Sequence, residues 1–201
     1  SERERMLMTL DDGSNDRIPP TNLVKAWAPG GDTARLTARF AEWEKWAAAT
    51  LETQLTLPLL ALFRSHDPRQ NWITALGLVC DAALHAQIIK GSHGRTESYW
   101  FLRRAITLFD EMTLSEELEA YRSSMMSPES LEIGEQQLVD LYEELEAHGF
   151  ELLPFEEGRD LAVKLRAQYG PQMELLIDRM LCPRGFWAPS VREHPLDTIV
   201  T

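Results

Sequence analysis

Asp81 and His85 stand four residues apart in the run Ile73 to Ile89, ITALGLVCDAALHAQII, which sets a carboxylate and an imidazole on one side of a helix. Thr74 lies seven residues before Asp81 on the same stripe, with the small Gly77 beside it. Such a pair can hold a metal or a small ligand. Inside an apolar run it has a second use, in which Asp81 pairs with an arginine from a neighbouring helix and His85 donates to a carbonyl, because buried charges need partners. Arg64, Arg103 and Arg104 are the candidate cations for that pair. With His66 they complete the candidate ligand site or buried polar network: Arg64, His66, Asp81, His85, Arg103 and Arg104.

Other constellations carry less. Glu144 and His148 are also four apart, whereas carboxylate-bridged dimetal bundles use a Glu-x-x-His spacing of three on two helices. His148 precedes Gly149, where an imidazole suits the negative end of a helix. The RSHD run, Arg64 to Asp67, sets a histidine beside an aspartate, but no Ser or Cys stands in a nucleophile motif, and Asp67 before Pro68 reads as a helix cap. Glycine-rich phosphate loops are absent. No catalytic residue, metal ligand or cofactor is therefore expected. Trp43, Trp46, Phe63 and Trp72 recur at helical spacing and read as core, and Cys80 and Cys182, far apart in apolar surroundings, read as buried thiols.

The elements that must position these residues are helices. Leu36, Phe40, Trp43, Ala47, Leu51 and Leu55 recur at three or four residue steps, giving a long helix capped by Asp32 or Thr33 and ending or bending near Thr56 before Pro58. A central helix, Arg69 to about Lys90, is apolar nearly all round and should be the most buried. Shorter helices are expected at Thr21 to Ala28, Thr96 to Met112, Ser115 to Ser123, Glu135 to His148, and Glu156 to Leu181 with a break at Gly170 and Pro171. The fold class is all-α: a helical bundle with a long N-terminal-half helix packed on a buried central helix. Residues 1–20 read as a linker, 21–182 as the domain and 183–201 as an extended tail.

Composition excludes several partners. The 201 residues carry a net charge of -12, which disfavours nucleic acid, since phosphate neutralisation needs clustered Lys and Arg. Neither Leu57 to Phe63 nor the Asp81-bearing run supplies the roughly 20 apolar residues of a membrane span.

The order EWEKWAAATLETQLTLPLLALFRSHDPRQNWITALGLVCDAALH, followed later by LRAQYGPQMELLIDRMLCP, resembles the cytosolic C-terminal region of bacterial potassium-channel-like proteins, of the ion channel or two-pore-domain potassium channel family. The resemblance is carried by Trp43, Glu44, Trp46, Ala47, Leu51, Glu52, Leu55, Pro58, Phe63, Arg64, Ser65, Trp72, Ala75, Leu76 and Asp81, with Tyr169 and Pro171 near the end. It implies an upstream membrane pore in the same polypeptide, a position at the cytoplasmic face of the membrane, and a non-catalytic role in subunit assembly, gating or ligand sensing. Expected partners are further copies of the chain and that pore, with an unidentified small ligand as a further candidate. A second reading is a freestanding helical ligand-binding or interaction module with Asp81 and His85 lining a pocket, and a third is an enzyme using acidic and histidine residues on bundle helices, which would carry bound metal.

Overall fold

The computed structural model describes residues 10, 19–56, 72–113, 119–120 and 134–180, which are helical apart from turns and one isolated antiparallel bridge. Helices α1 Pro20–Trp27, α2 Ala34–Thr56, α3 Trp72–Ile88, α4 Arg95–Met112, α5 Glu135–Ala147, α6 Phe155–Arg166 and α7 Gly170–Met180 follow in chain order. The all-α bundle expected from the sequence is the fold observed. Segment 57–71, most of the helix expected at Ser115 to Ser123, and the tail 183–201 lie outside the described residues, as do Phe63 and Cys182.

Local chemistry accounts for the ends of the helices. Proline is tolerated in a first helical turn, where its missing N–H has no partner to lose, and Pro20 opens α1 there. Ahead of α2, the Asp32 carboxylate accepts a hydrogen bond from the Ala34 amide at 3.1 Å. The break between α6 and α7 falls earlier than the expected Gly170 and Pro171, after Arg166. Pro171 cannot donate to the Ala167 carbonyl four residues back and its ring would strike that oxygen, so the helix stops one such step ahead of it. A short turn through Ala167, Gln168 and Tyr169 bridges the gap, the Gln168 amide donating to the Leu165 carbonyl at 3.1 Å.

All seventeen residues of α3 are buried, as its continuous apolar pattern requires. It packs against α1, α4, α6 and α7. The short connection 89–94 then reverses the chain, so α4 runs back alongside α2 in the same direction. Thr33 meets His93 and Glu44 meets Arg104, a constant offset of 60 residues, and Phe40 stacks near Phe101 with ring centroids 6.2 Å apart. Gly94 permits this approach, since a Cβ there would lie 2.5 Å from the Leu36 Cβ. Trp43, Trp46 and Trp72 form a series of edge-to-face rings, the last contact joining α2 to α3 at 6.3 Å between centroids, so these tryptophans are core. Leu10, in the segment read as a linker, is buried in the same core.

After α5 the chain crosses the C-terminal end of α3. The Lys90 amide donates to the Glu151 carbonyl at 2.7 Å and the Leu153 amide to the Ile88 carbonyl at 2.9 Å, closing the Ile89 to Leu152 bridge. Tyr142 of α5 donates its hydroxyl to the Leu153 carbonyl at 3.1 Å and lies directly over Gly158 of α6. A Cβ on Gly158 would sit 1.7 Å from the Tyr142 oxygen and 2.9 Å from its Cζ. Gly158→Ala is therefore expected to lower stability by about 1–3 kcal/mol, although alanine favours an unstrained helix by about 1 kcal/mol. Tyr142→Phe removes the clashing hydroxyl and should offset part of that loss, giving a favourable coupling in a double-mutant cycle by urea denaturation. A Gly158→Ala protein as stable as the parent would show that the two helices do not meet so closely.

Candidate functional site

A carboxylate on a helix with no exposed side cannot reach water, so Asp81 needs its cation delivered by a neighbour. Arg166, the last residue of α6, supplies it: its Nη1 donates to Asp81 Oδ1, and both residues are more than nine-tenths buried. The turn that follows brings Tyr169 to the same oxygen, its hydroxyl donating at 2.6 Å, while the Arg166 guanidinium lies 5.6 Å from the centre of the Tyr169 ring. Burial alone would lower the Arg166 pKa, but the Asp81 charge and hydrogen bond, with Tyr169 and Glu174, together outweigh it and hold the guanidinium above its ordinary value. Burial first and the Asp81 charge second push both the Tyr169 hydroxyl and the adjacent Cys80 thiol well up, so neither is a ready nucleophile.

His85, one turn further along α3, is handled differently. Its Nδ1 is buried without a hydrogen-bond partner among the described residues. Burial lowers its pKa to about 4; the Asp81 and Glu144 charges oppose that shift and the Arg166 charge adds to it. The ring is thus neutral at pH 7. Beyond it, Glu144 of α5 forms an ion pair with Lys25 of α1, near Thr21. Burial would raise the Glu144 pKa, but the Lys25 contact, the nearby Thr21 hydroxyl and the Lys25 charge lower it below the usual range. Thr21 Oγ1 assists electrostatically without completing a hydrogen bond of ordinary geometry. His148, spaced with Glu144 in sequence, places its Nε2 3.3 Å from the Ala28 carbonyl oxygen, so the two do not form a pair.

The cations expected for Asp81 are elsewhere. Arg103 and Arg104 lie on the exposed side of α4, because Phe101, Leu102, Ala105, Ile106, Leu108 and Phe109 take the buried side and fix the helical phase. Arg104 Nε contacts Glu44 Oε1 at 3.3 Å across the α2–α4 seam. Arg64 and His66 lie outside the described residues. Of the six candidates, Asp81 and His85 share the buried stripe, and Arg103 and Arg104 share a surface cleft.

That cleft holds about 330 Å³ and is lined by Glu44, Glu97, Trp100, Arg103 and Arg104, with Ala41 and Thr107. Trp100 is 60% exposed and Tyr99 45%, their rings meeting edge to face at 5.4 Å. Glu97 Oε2 is shielded from solvent with no hydrogen-bond partner among the described residues. Sequence reasoning missed Arg166 and the Tyr99–Trp100 pair. The signal for the aromatics was present: once Phe101, Leu102 and Ala105 are taken as core, a helical wheel turns Tyr99, Trp100, Arg103 and Arg104 outward together. Gln87 was missed as well; its amide donates to the Arg95 carbonyl at 2.5 Å and to Ser98 Oγ at 2.6 Å, joining the facing ends of α3 and α4. Among the described residues no group of three or more His, Cys, Asp or Glu is placed to hold a metal ion, and no helix is long and apolar enough to cross a membrane.

The buried pair makes a direct prediction. Asp81→Leu alone leaves the Arg166 charge unpaired in the core and is expected to cost about 3–5 kcal/mol in urea denaturation, while Asp81→Leu with Arg166→Met recovers most of the loss. A double variant no more stable than the single one would refute the pairing. His85 gives a pH dependence. Its pKa of about 4 in the fold lies below the ordinary 6.5, so the unfolded chain takes up the proton first as pH falls. The contribution is full above pH 6.5 and is lost progressively toward pH 4, about 3 kcal/mol in all. His85→Gln should lose that slope, so the difference between parent and variant stability should change by about 3 kcal/mol between pH 6.5 and pH 4; parallel curves across the window would contradict it.

No family model, curated protein or solved structure matches the chain.

Proposed function

We propose that this chain is a non-catalytic assembly and regulatory domain, acting on the pore of a potassium-channel-like membrane protein from its cytoplasmic face. The observation that carries the domain's part in this is the outward side of α4, where Tyr99 and Trp100 stand exposed among Arg95, Arg103 and Arg104. Trp, Tyr and Arg are the residue types that dominate the energetics of protein association. The interior supports the same reading from the other direction. Asp81, Arg166 and Tyr169 are bonded to one another and hold helices together, so they have little left to offer a substrate. The connection to a pore rests on the sequence resemblance alone.

A second reading, a helical module that binds a small ligand, is favoured by the 330 Å³ cleft with its Trp100 wall. The two part on self-association. Light scattering across a wide concentration range is expected to show oligomers of the chain; a monomer throughout would end the assembly reading and leave the ligand module. The channel reading further requires a pore loop between two apolar spans encoded ahead of Ser1, and a reading frame without them would end it.

A further inference from the structure

We infer that self-association is head to tail, the aromatic and basic side of α4 in one copy docking on the acidic side of α5 in the next. The inference rests on the assembly reading above and adds which surfaces meet.

Three observations carry it. First, α4 presents Arg95, Tyr99 and Arg103 at successive steps of four, with Trp100 and Arg104 alongside, all exposed. Among the described residues no carboxylate pairs with Arg95 or Arg103. Arg104 is committed to Glu44 and Glu97 lies on the same cleft, so the excess positive charge of this stripe is carried by Arg95 and Arg103, on a chain whose net charge is -12. Second, α5, EQQLVDLYEELEA, contains no basic residue and exposes Asp140, Glu143 and Glu146 at steps of three. Glu144 is committed to Lys25, whereas Glu143 and Glu146 meet no described cation. Third, the stripes match in length, since at 1.5 Å per residue Arg95 to Arg103 spans about 12 Å and Asp140 to Glu146 about 9 Å.

A contact of α4 with its own symmetry mate would set Arg95 and Arg103 against arginines, and like charges face to face are disfavoured. Two different faces avoid that. The aromatic pair supplies apolar area at the centre, and the charges fix register around it. Such a contact is heterologous, so it closes into a ring when the rotation permits and otherwise propagates.

The test uses two variants, each blocked on one face. Trp100→Ala with Arg103→Ala blocks α4, and Glu143→Arg with Glu146→Arg blocks α5. All four positions are solvent-facing, and circular dichroism melting checks that both variants fold as the parent does. Each variant alone is expected to self-associate at least about tenfold more weakly than the parent in sedimentation velocity. Mixed, they should form a 1:1 heterodimer and nothing larger, because one intact α4 face and one intact α5 face remain. If the α5 variant associates like the parent, or the mixture stays monomeric, the face assignment is overturned while assembly stands. A parent chain that is monomeric throughout overturns the assembly reading itself.

Discussion

The structure is organised by one ionised carboxylate on a helix that has no outside. Every residue of α3 from Trp72 to Ile88 is buried, and Asp81 lies in its middle. Removing a carboxylate and a guanidinium from water costs several kcal/mol each, and their mutual attraction recovers that only in good geometry. Net stabilisation by the pair is therefore near zero against a pair of hydrophobes of similar size. Its effect is on specificity: a docking of α6 and α7 that left Arg166 elsewhere would strand the Asp81 charge, so alternative packings are penalised. The turn from Ala167 to Tyr169 sets the length of this clamp, since the Tyr169 hydroxyl must reach the same carboxylate oxygen.

One helical turn away the same helix solves the opposite problem. Among the described residues no cation or carbonyl is bonded to His85 Nδ1, and desolvation keeps the ring neutral. Glu144, whose charge also acts on His85, is held by Lys25 at a partly exposed position where water still screens both charges. The stripe thus holds Asp81 as a paired charge and His85 as an uncharged ring. Both keep α3 inside without placing a free charge beside apolar neighbours.

How much of this was legible follows from sequence distance. Helix periodicity found α2, α3 and α4 because it is read within a few turns, and it marked Asp81 and His85 as polar groups in an apolar setting. It could not choose the cation. Arg166 is 85 residues from Asp81, and nothing local distinguishes it from Arg103 or Arg104 until the phase of α4 is used. That phase was available from Phe101, Ala105 and Phe109, and it turns both arginines outward. The break after Arg166 likewise follows from Pro171 acting four residues back, once its clash is assigned to the Ala167 carbonyl rather than to its own position. Arg64 and His66, which lie outside the described residues, take no part in this comparison.

The outer surface obeys a different balance. Each copy carries a net charge of -12, so two copies repel as they approach, over a range set by the screening length, about 8 Å at physiological ionic strength and longer at lower salt. The α4 stripe and the α5 acids attract only at contact, within that length. Added salt therefore first weakens the long-range repulsion and only at higher concentration screens the contact, which buries aromatic area that salt does not weaken. Association through these faces should accordingly pass through a maximum at intermediate ionic strength rather than fall monotonically. A purely apolar contact between acidic bodies would instead strengthen steadily with salt, and a purely ionic one would weaken from the start. The exposed Tyr99–Trp100 pair between Arg95 and Arg103, which meet no described carboxylate, is the arrangement that lies between those limits.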